Sequence, residues 1–237
     1  MLRYIDNKKM GRSSHDWLES IHHFSFAGYY NPDNMRFGAL RVLNDDEVQP
    51  HRGFDTHSHK NMEILSYVID GELTHADSMK NEETLTRGQV QYMSAGSGVY
   101  HSEYNLGDSP LRFLQIWILP NRNVCEPAYG SRKFTLEERR DRWMHIASGM
   151  DKSAAPIRVY ADINVYATII APNTPLDFEI NADRQAYLVV IEGACDINGI
   201  PVYERDALEI VEENIILKTR DTCDSSHILI IEMAKGS

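Results

Sequence analysis

The sequence predicts an all-β protein made of two tandem β modules with a few short helices. Three observations carry this expectation. From Gly38 to Trp117 the chain is a succession of short runs rich in β-branched and aromatic residues, cut by turn-forming clusters. After Pro156 runs of the same kind resume. Finally, Val68-Ile69-Asp70-Gly71-Glu72 is echoed by Val190-Ile191-Glu192-Gly193-Ala194, each an apolar strand closed by an acidic residue and a glycine, as a duplicated small barrel would show.

Taken in order, Ala39-Leu40-Arg41-Val42-Leu43 alternates as a half-buried strand does and turns at Asn44-Asp45-Asp46. Met62 to Ile69 forms the next strand, and Asp70-Gly71 is the dipeptide of a tight hairpin. Leu73 to Ser78 runs out to a turn at Lys80-Asn81, the chain returns through Thr84-Leu85-Thr86, and Gly88 precedes Val90 to Ser94. Ala95-Gly96-Ser97-Gly98 breaks the chain again. Leu111 to Leu119 is nearly all apolar, the pattern of a strand covered on both faces, and Pro120 stops it. Residues 121–155 change character, with Pro127, Gly130 and a charge run at Glu137 to Arg142 whose alternating signs suit a solvated surface. Beyond Pro156 strands are expected at Ile157–Tyr160, Ile163–Ile170, Ala186–Ile191 and Ile228–Ile231. The expected domains are therefore 1–122, an interdomain segment 123–155, and 156–237.

Composition narrows the function. The 237 residues are 42% hydrophobic and 25% charged, the profile of a folded soluble chain with a sizeable core. A formal net charge of -11 opposes any sequence-independent grip on a nucleic-acid backbone, so no direct nucleic-acid partner is expected. The amino terminus lacks an apolar run after its first charge, and no stretch approaches the ~18 apolar residues of a spanning helix, so no membrane partner and a cytoplasmic location are expected. Cys125, Cys195 and Cys223 are far apart, odd in number and never in a CxxC spacing, which reads as reduced thiols.

The chemistry is concentrated in two dyads, His57-Ser58-His59 and His101-Ser102-Glu103. On a strand, side chains two apart point to the same face, roughly 6.6 Å apart along the backbone, so each dyad offers two donors to one point. Antiparallel pairing brings the dyads face to face inside a barrel. Three imidazoles and a carboxylate suit one divalent transition metal and leave coordination positions open for chemistry. Glu63 lies four residues after His59, so on a regular strand it faces the same way; periodicity does not separate it from Glu103. One of the two would bind the metal while the other holds a histidine's second nitrogen. Phe54, Tyr92, Met93 and Phe113 are candidate apolar walls for a planar aromatic substrate. The second module has no histidine near its hairpin, and its His227 stands alone, so it is expected to be without a metal site.

These residues resemble the cupin superfamily and, within it, the pirin family. Gly53 through His57-Ser58-His59-Lys60-Asn61-Met62-Glu63 to Gly71 looks like the first cupin motif, and Gly88 through His101-Ser102-Glu103-Tyr104-Asn105 looks like the second. The pirin likeness rests on Trp17-Leu18, Phe24-Ser25-Phe26-Ala27-Gly28-Tyr29-Tyr30, Leu40 to Asp46, His57 to Glu63, and Met93 to Asn105, and covers most of residues 12 to 120. The resemblance implies two tandem cupin (double-stranded β-helix, or jelly-roll) barrels. The first would hold one metal, usually iron, with manganese, nickel, copper, cobalt or zinc as alternatives, through His57, His59, His101 and Glu103. It favours Glu103 as the carboxylate ligand and leaves Glu63 open as an occasional ligand or an outer partner. Ser58 and Asn61 fall where proline and aspartate are common in the family, and Tyr100 stands beside His101; none removes a ligand.

Bacterial pirin-like proteins are associated with quercetin 2,3-dioxygenase activity. The resemblance therefore implies a metal-dependent dioxygenase taking dioxygen and a flavonol or similar planar enol, with Glu103 removing the substrate's hydroxyl proton. Nuclear pirins are associated with transcription-factor regulation, which makes a redox-sensing protein acting through a protein partner the alternative. A closed structural zinc site is disfavoured because no cysteine lies near either dyad.

Overall fold

A computed structural model describes residues 1–151 and 153–236. The regular secondary structure of the described chain is almost entirely strand, and the chain separates into two compact units. No helix among the described residues is long and apolar enough to cross a membrane.

One unit comprises Met10–Phe134 with Val159–Ala161; the other takes the rest of the described chain, including Met1–Lys9 and hence strand β1 (Leu2–Ile5). This differs from the expected division at 122 and 155. The first strand pairs with a strand two hundred residues away, and the supposed interdomain segment supplies strands to both units.

The N-terminal unit carries β2 (Gly11–His15), β3 (Leu18–His22), β4 (Leu40–Val48), β5 (Arg52–His59), β6 (Glu63–Asp70), β7 (Glu72–Asp77), β8 (Glu82–Thr86), β9 (Gln89–Ser94), β10 (Val99–Asn105), β11 (Leu111–Ile118) and β12 (Ala128–Lys133). A seven-stranded sheet has the order β12-β9-β6-β11-β4-β3-β2, and a four-stranded sheet has the order β5-β10-β7-β8. The apolar β11 lies between β4 and β6, as its nearly unbroken hydrophobic run requires. β12 is a polar, largely exposed edge strand on β9; with no apolar alternation, it left no signal in the sequence.

Asp70-Gly71 does not close a hairpin. β6 belongs to the large sheet and β7 to the small one, so the chain crosses between sheets there. Gly71 has φ +77, and a Cβ on it would lie 2.5 Å from the carbonyl oxygen of Pro110, so the crossover excludes any side chain. Gly193, also at positive φ, marks the same crossover in the other unit.

The C-terminal unit adds α1 (Leu136–Arg139), β13 (Met144–Ser148), β14 (Ile157–Arg158), β15 (Ile163–Ile170), β16 (Leu176–Phe178), β17 (Arg184–Glu192), β18 (Ala194–Ile197), β19 (Ile200–Tyr203), β20 (Ala207–Val211), β21 (Ile215–Thr219) and β22 (Ser226–Ala234). Its sheets have the orders β1-β20-β17-β22-β15-β13-β14 and β16-β21-β18-β19. The central pattern of the first unit is repeated strand for strand: β9-β6-β11-β4 becomes β20-β17-β22-β15, and β5-β10-β7-β8 becomes β16-β21-β18-β19. The charge run at Glu137 to Arg142 overlaps α1, a single turn with a Thr135/Glu138 capping box, and Arg139 within it is buried.

In the N-terminal unit, Leu18, Val48, Val68, Leu73, Leu85, Leu111 and Phe113 pack together, with Phe54 and Trp17 against them. Phe113, expected as a pocket wall, is instead at the centre of this hydrocarbon layer. Phe113→Ala is expected to cost about 3–5 kcal/mol of stability. Urea unfolding should show a lower midpoint with an unchanged slope; a change within 0.5 kcal/mol, as for a surface site (about ±0.5 kcal/mol), would contradict a core role.

Candidate metal centre

β5 and β10 are antiparallel neighbours, with His57 directly opposite His101. The register then shifts, so that Glu103 faces Phe54: two residues on β10 span three on β5. This bulge changes which side chains point inward. On a regular strand Phe54 and His57 would face opposite ways; across the bulge both turn toward the interior. The bulge also fixes a tautomer, because Nδ1–H of His57 donates to the carbonyl of Asp55 at 2.7 Å and leaves Nε2 with its lone pair. Close strand approach is secured at Gly53, where a Cβ would sit 2.3 Å from the Glu103 carbonyl oxygen.

The result is a knot of imidazoles. Ring centroids are 4.7 Å apart for His57 and His59, 4.5 Å for His57 and His101, and 4.9 Å for His59 and His101. One ring nitrogen from each lies within 4.8 Å of the other two. Glu103 is not in this group; it forms an overlapping one with His101 and His75, again within 4.8 Å.

The carboxylate of Glu103 is held by a ladder of polar residues from the opposite sheet. His22, Asn44, Gln115, Ser66 and Gln91 stand directly opposite one another across β3, β4, β11, β6 and β9. Three of them donate to Glu103: Ser66 Oγ at 2.8 Å and Gln91 Nε2 at 2.5 Å to Oε1, and Gln115 Nε2 at 2.6 Å to Oε2. Hydrogen bonds to a charged group are worth about 1.5–3 kcal/mol each, enough to offset much of the cost of burying the carboxylate.

Burial, together with the neighbouring imidazoles, lowers the pKa of His59 to about 4 and that of His101 to about 3. Both rings are therefore neutral near pH 7, the state in which imidazole binds a metal. His101 is 2% exposed, and neither of its ring nitrogens has a hydrogen-bond partner among the described residues. A buried nitrogen left in this way requires an explanation. Neutral nitrogen donors converging beside a buried carboxylate fit a divalent transition metal.

Other predicted residues fall elsewhere. Glu63 does not share a strand with His59, since β5 ends at His59 and β6 begins at Glu63 after Asn61, which has φ +51. Its carboxylate is taken up by Tyr92 Oη at 2.7 Å and by the backbone N–H groups of Tyr160 and Ala161 at 2.7 and 3.2 Å. Among the described residues it makes no hydrogen bond to a histidine, so the expected outer-partner geometry is not present. Tyr92 is thereby an anchor for Glu63, and Phe54 packs edge-on against Trp17 at 5.2 Å in the hydrocarbon layer. Met93 packs with Ile64 and Val99, against Trp117 and Tyr129. It is these last two that touch the imidazoles: Trp117 lies edge-on to His59 at 4.7 Å, and Tyr129 stacks on His75 at 4.6 Å.

Sequence reasoning missed His75, Trp117 and the donors Ser66, Gln91 and Gln115. His75-Ala76-Asp77 was a visible period-two dyad; the donors depend on pairings between distant strands. In the second unit the strands matching β5, β7 and β10 contribute Phe178, Cys195, Ile197, Ile215 and Leu217 to a hydrocarbon core. His227 is bonded to Glu192 at 2.8 Å.

A sequence profile described as Pirin matches residues 5–118, and one described as Quercetinase C-terminal cupin domain matches residues 145–233. The chain is 38% identical over 224 residues to the quercetin 2,3-dioxygenase of Escherichia coli K12, covering 94% of each. It is 39% identical over 233 residues to a pirin-like protein of Caulobacter vibrioides, covering 97% of this chain and 100% of that one. The crystal structure of YhhW from Escherichia coli matches with a TM-score of 0.91 at 36% identity, over 99% of this chain and 98% of that one. The nickel(II) complex of the same bacterial pirin matches with a TM-score of 0.91 at 35% identity, over 99% and 100%.

Asp46, bonded to Ser20 beside this site, gives a pH prediction. Burial, reinforced by the charges of Asp45 and Glu103, raises its pKa to about 7. The folded state keeps this proton up to that pH, whereas the unfolded chain releases it near pH 3.8. The group's stabilising contribution is full below about pH 4 and is lost as pH rises through 7, by on the order of 4 kcal/mol. In urea unfolding from pH 4.5 to 8, Asp46→Asn should gain on the parent protein by a few kcal/mol; a constant difference across that range would refute the assignment.

Proposed function

The chain belongs to the pirin family, and on that premise we propose that it is a metal-dependent dioxygenase of the quercetin 2,3-dioxygenase type, acting on a flavonol or a similar planar enol. The observation that carries this reading is the convergence of His57, His59 and His101 nitrogens within 4.8 Å, beside a buried carboxylate. Those three histidines and Glu103 would hold the ion. Iron is the preferred metal, with manganese, nickel, copper, cobalt and zinc as alternatives; the nickel(II) complex of the Escherichia coli relative supports a late divalent metal. A cytoplasmic setting fits the three free cysteines.

The bound metal supplies a Lewis-acidic position for the substrate oxygen and, if redox active, an electron path to dioxygen. The protein supplies the proton transfer and the dry walls. Glu103 takes the proton of the substrate's 3-hydroxyl. Ser66 is built to accommodate that change, because its Oγ lies 2.8 Å from Glu103 Oε1 and 3.2 Å from Gln115 Oε1. With Glu103 ionised, the Ser66 hydroxyl donates to it; with Glu103 protonated, the hydroxyl turns to Gln115 and accepts from the new O–H. Gln91 and Gln115 keep the carboxylate aimed throughout. Trp117, edge-on to His59 and backed by Phe26 at 5.3 Å, shields the imidazoles from water.

Purified protein loaded with iron and given quercetin in air should consume the flavonol's absorbance and release carbon monoxide. Glu103→Gln should lower turnover by about 10²–10⁴-fold, the range of a general base. Absence of turnover with every one of iron, manganese, nickel, copper and cobalt would sink the proposal.

A further inference from the structure

The centre contains one more imidazole than the two dyads account for. His75 lies on β7 directly opposite Glu103 of β10, and its side chain is fully buried. We propose that His75 is a protein donor at this centre, its Nδ1 holding the cation together with His101 and Glu103. The proposal rests on the metal reading above and not on the identity of the substrate.

Four observations bear on it. Nε2 of His75 lies 3.1 Å from Oδ2 of Asp77. That carboxylate is itself fixed, receiving the backbone N–H of Met79 at 2.8 Å, the backbone N–H of Asn81 at 3.1 Å, and the Asn81 amide at 2.9 and 3.1 Å. An acceptor at Nε2 places the ring proton there and leaves a bare lone pair on Nδ1, the arrangement by which outer carboxylates prepare histidine ligands. Nδ1 is buried and has no hydrogen-bond partner among the described residues. A buried polar atom left so calls for a partner, which a ligand would supply.

The ring plane is also set. Tyr129 stacks on His75 with an interplanar angle of 14°, and its own hydroxyl is tied to Glu83 at 3.1 Å. The ring centroid is 5.5 Å from that of His101. One donor atom each from His75, His101 and Glu103 lies within 4.8 Å of the others, the same span as in the three-histidine group. The two groups share His101. A cation on the Glu103 side of His101 is within reach of a carboxylate that the three-histidine group lacks, and His75 completes that inner set. Asp77 is then a positioning residue that acts through His75.

The test uses cobalt(II), whose anomalous scattering marks its own position. In crystals of the full chain loaded with cobalt, the ion should lie within about 2.0–2.3 Å of His75 Nδ1, the range of nitrogen ligation. In competition with a chelator, His75→Gln should weaken cobalt binding at least tenfold, and Asp77→Asn should weaken it by a smaller factor, with folding checked by circular dichroism. An ion held by His57, His59 and His101 but more than about 3 Å from His75 Nδ1, beyond any ligand bond, overturns this inference and leaves the metal reading standing. Unchanged affinity in His75→Gln does the same. No cobalt binding by the unaltered protein overturns both.

Discussion

A carboxylate that is 2% exposed between two β-sheets has to be surrounded by donors, and Glu103 imposes that requirement on the whole N-terminal unit. Ser66, Gln91 and Gln115 come from three neighbouring strands of the large sheet and meet it at one level. Their alignment is a matter of register: a slip of one residue on β6, β9 or β11 would turn a donor outward and leave the charge unpaired. The polar layer therefore selects one pairing of the sheet, and that pairing holds the hydrocarbon layer of Leu18, Val48, Val68 and Phe113 below it. The imidazoles lie beside it. Fold and centre share one constraint.

The bulge in β5 is the second half of this arrangement. Without it, Phe54 and the two histidines of the first dyad could not point to the same side of the strand. With it, Phe54 closes the hydrocarbon layer while His57 and His59 reach His101. The Asp55 carbonyl exposed by the bulge accepts the His57 proton, so one backbone irregularity sets both the direction and the tautomer of a donor. The C-terminal unit shows what the same strand order becomes without these demands. Its counterparts of β5, β7 and β10 fill the interior with Phe178, Ile197, Ile215 and Leu217.

The three histidines were legible in the sequence because both dyads obey the period of a strand, and the long apolar run at Leu111 announced the central strand. The repeated acidic residue and glycine revealed the duplication, although they mark a crossing between sheets and not a hairpin; local turn chemistry does not say which strands the flanking residues will pair with. Glu63 was drawn toward the site by counting along a strand that Asn61 in fact interrupts. The placement of the apolar candidates was hidden for a related reason: Phe113 and Phe54 are hydrophobic enough for a pocket, but which layer they enter depends on register and on the bulge. Ser66, Gln91 and Gln115 gave no signal because their role exists only once β6, β9 and β11 are aligned. His75 stood in a visible dyad with Asp77, yet a single histidine in a strand has no direction until its partner strand is known.

Under the proposed function, the bulged β5 and β10 present His57, His59 and His101 to one divalent ion beside Glu103. Calorimetric titration of metal-free protein with nickel(II) tests it most directly, comparing the unaltered chain with His101→Ala. One ion per chain should bind, and loss of His101 should weaken binding by more than the ~10–100-fold typical of losing an outer partner. Failure of the unaltered protein to bind nickel, or equal affinity in His101→Ala, would contradict the account.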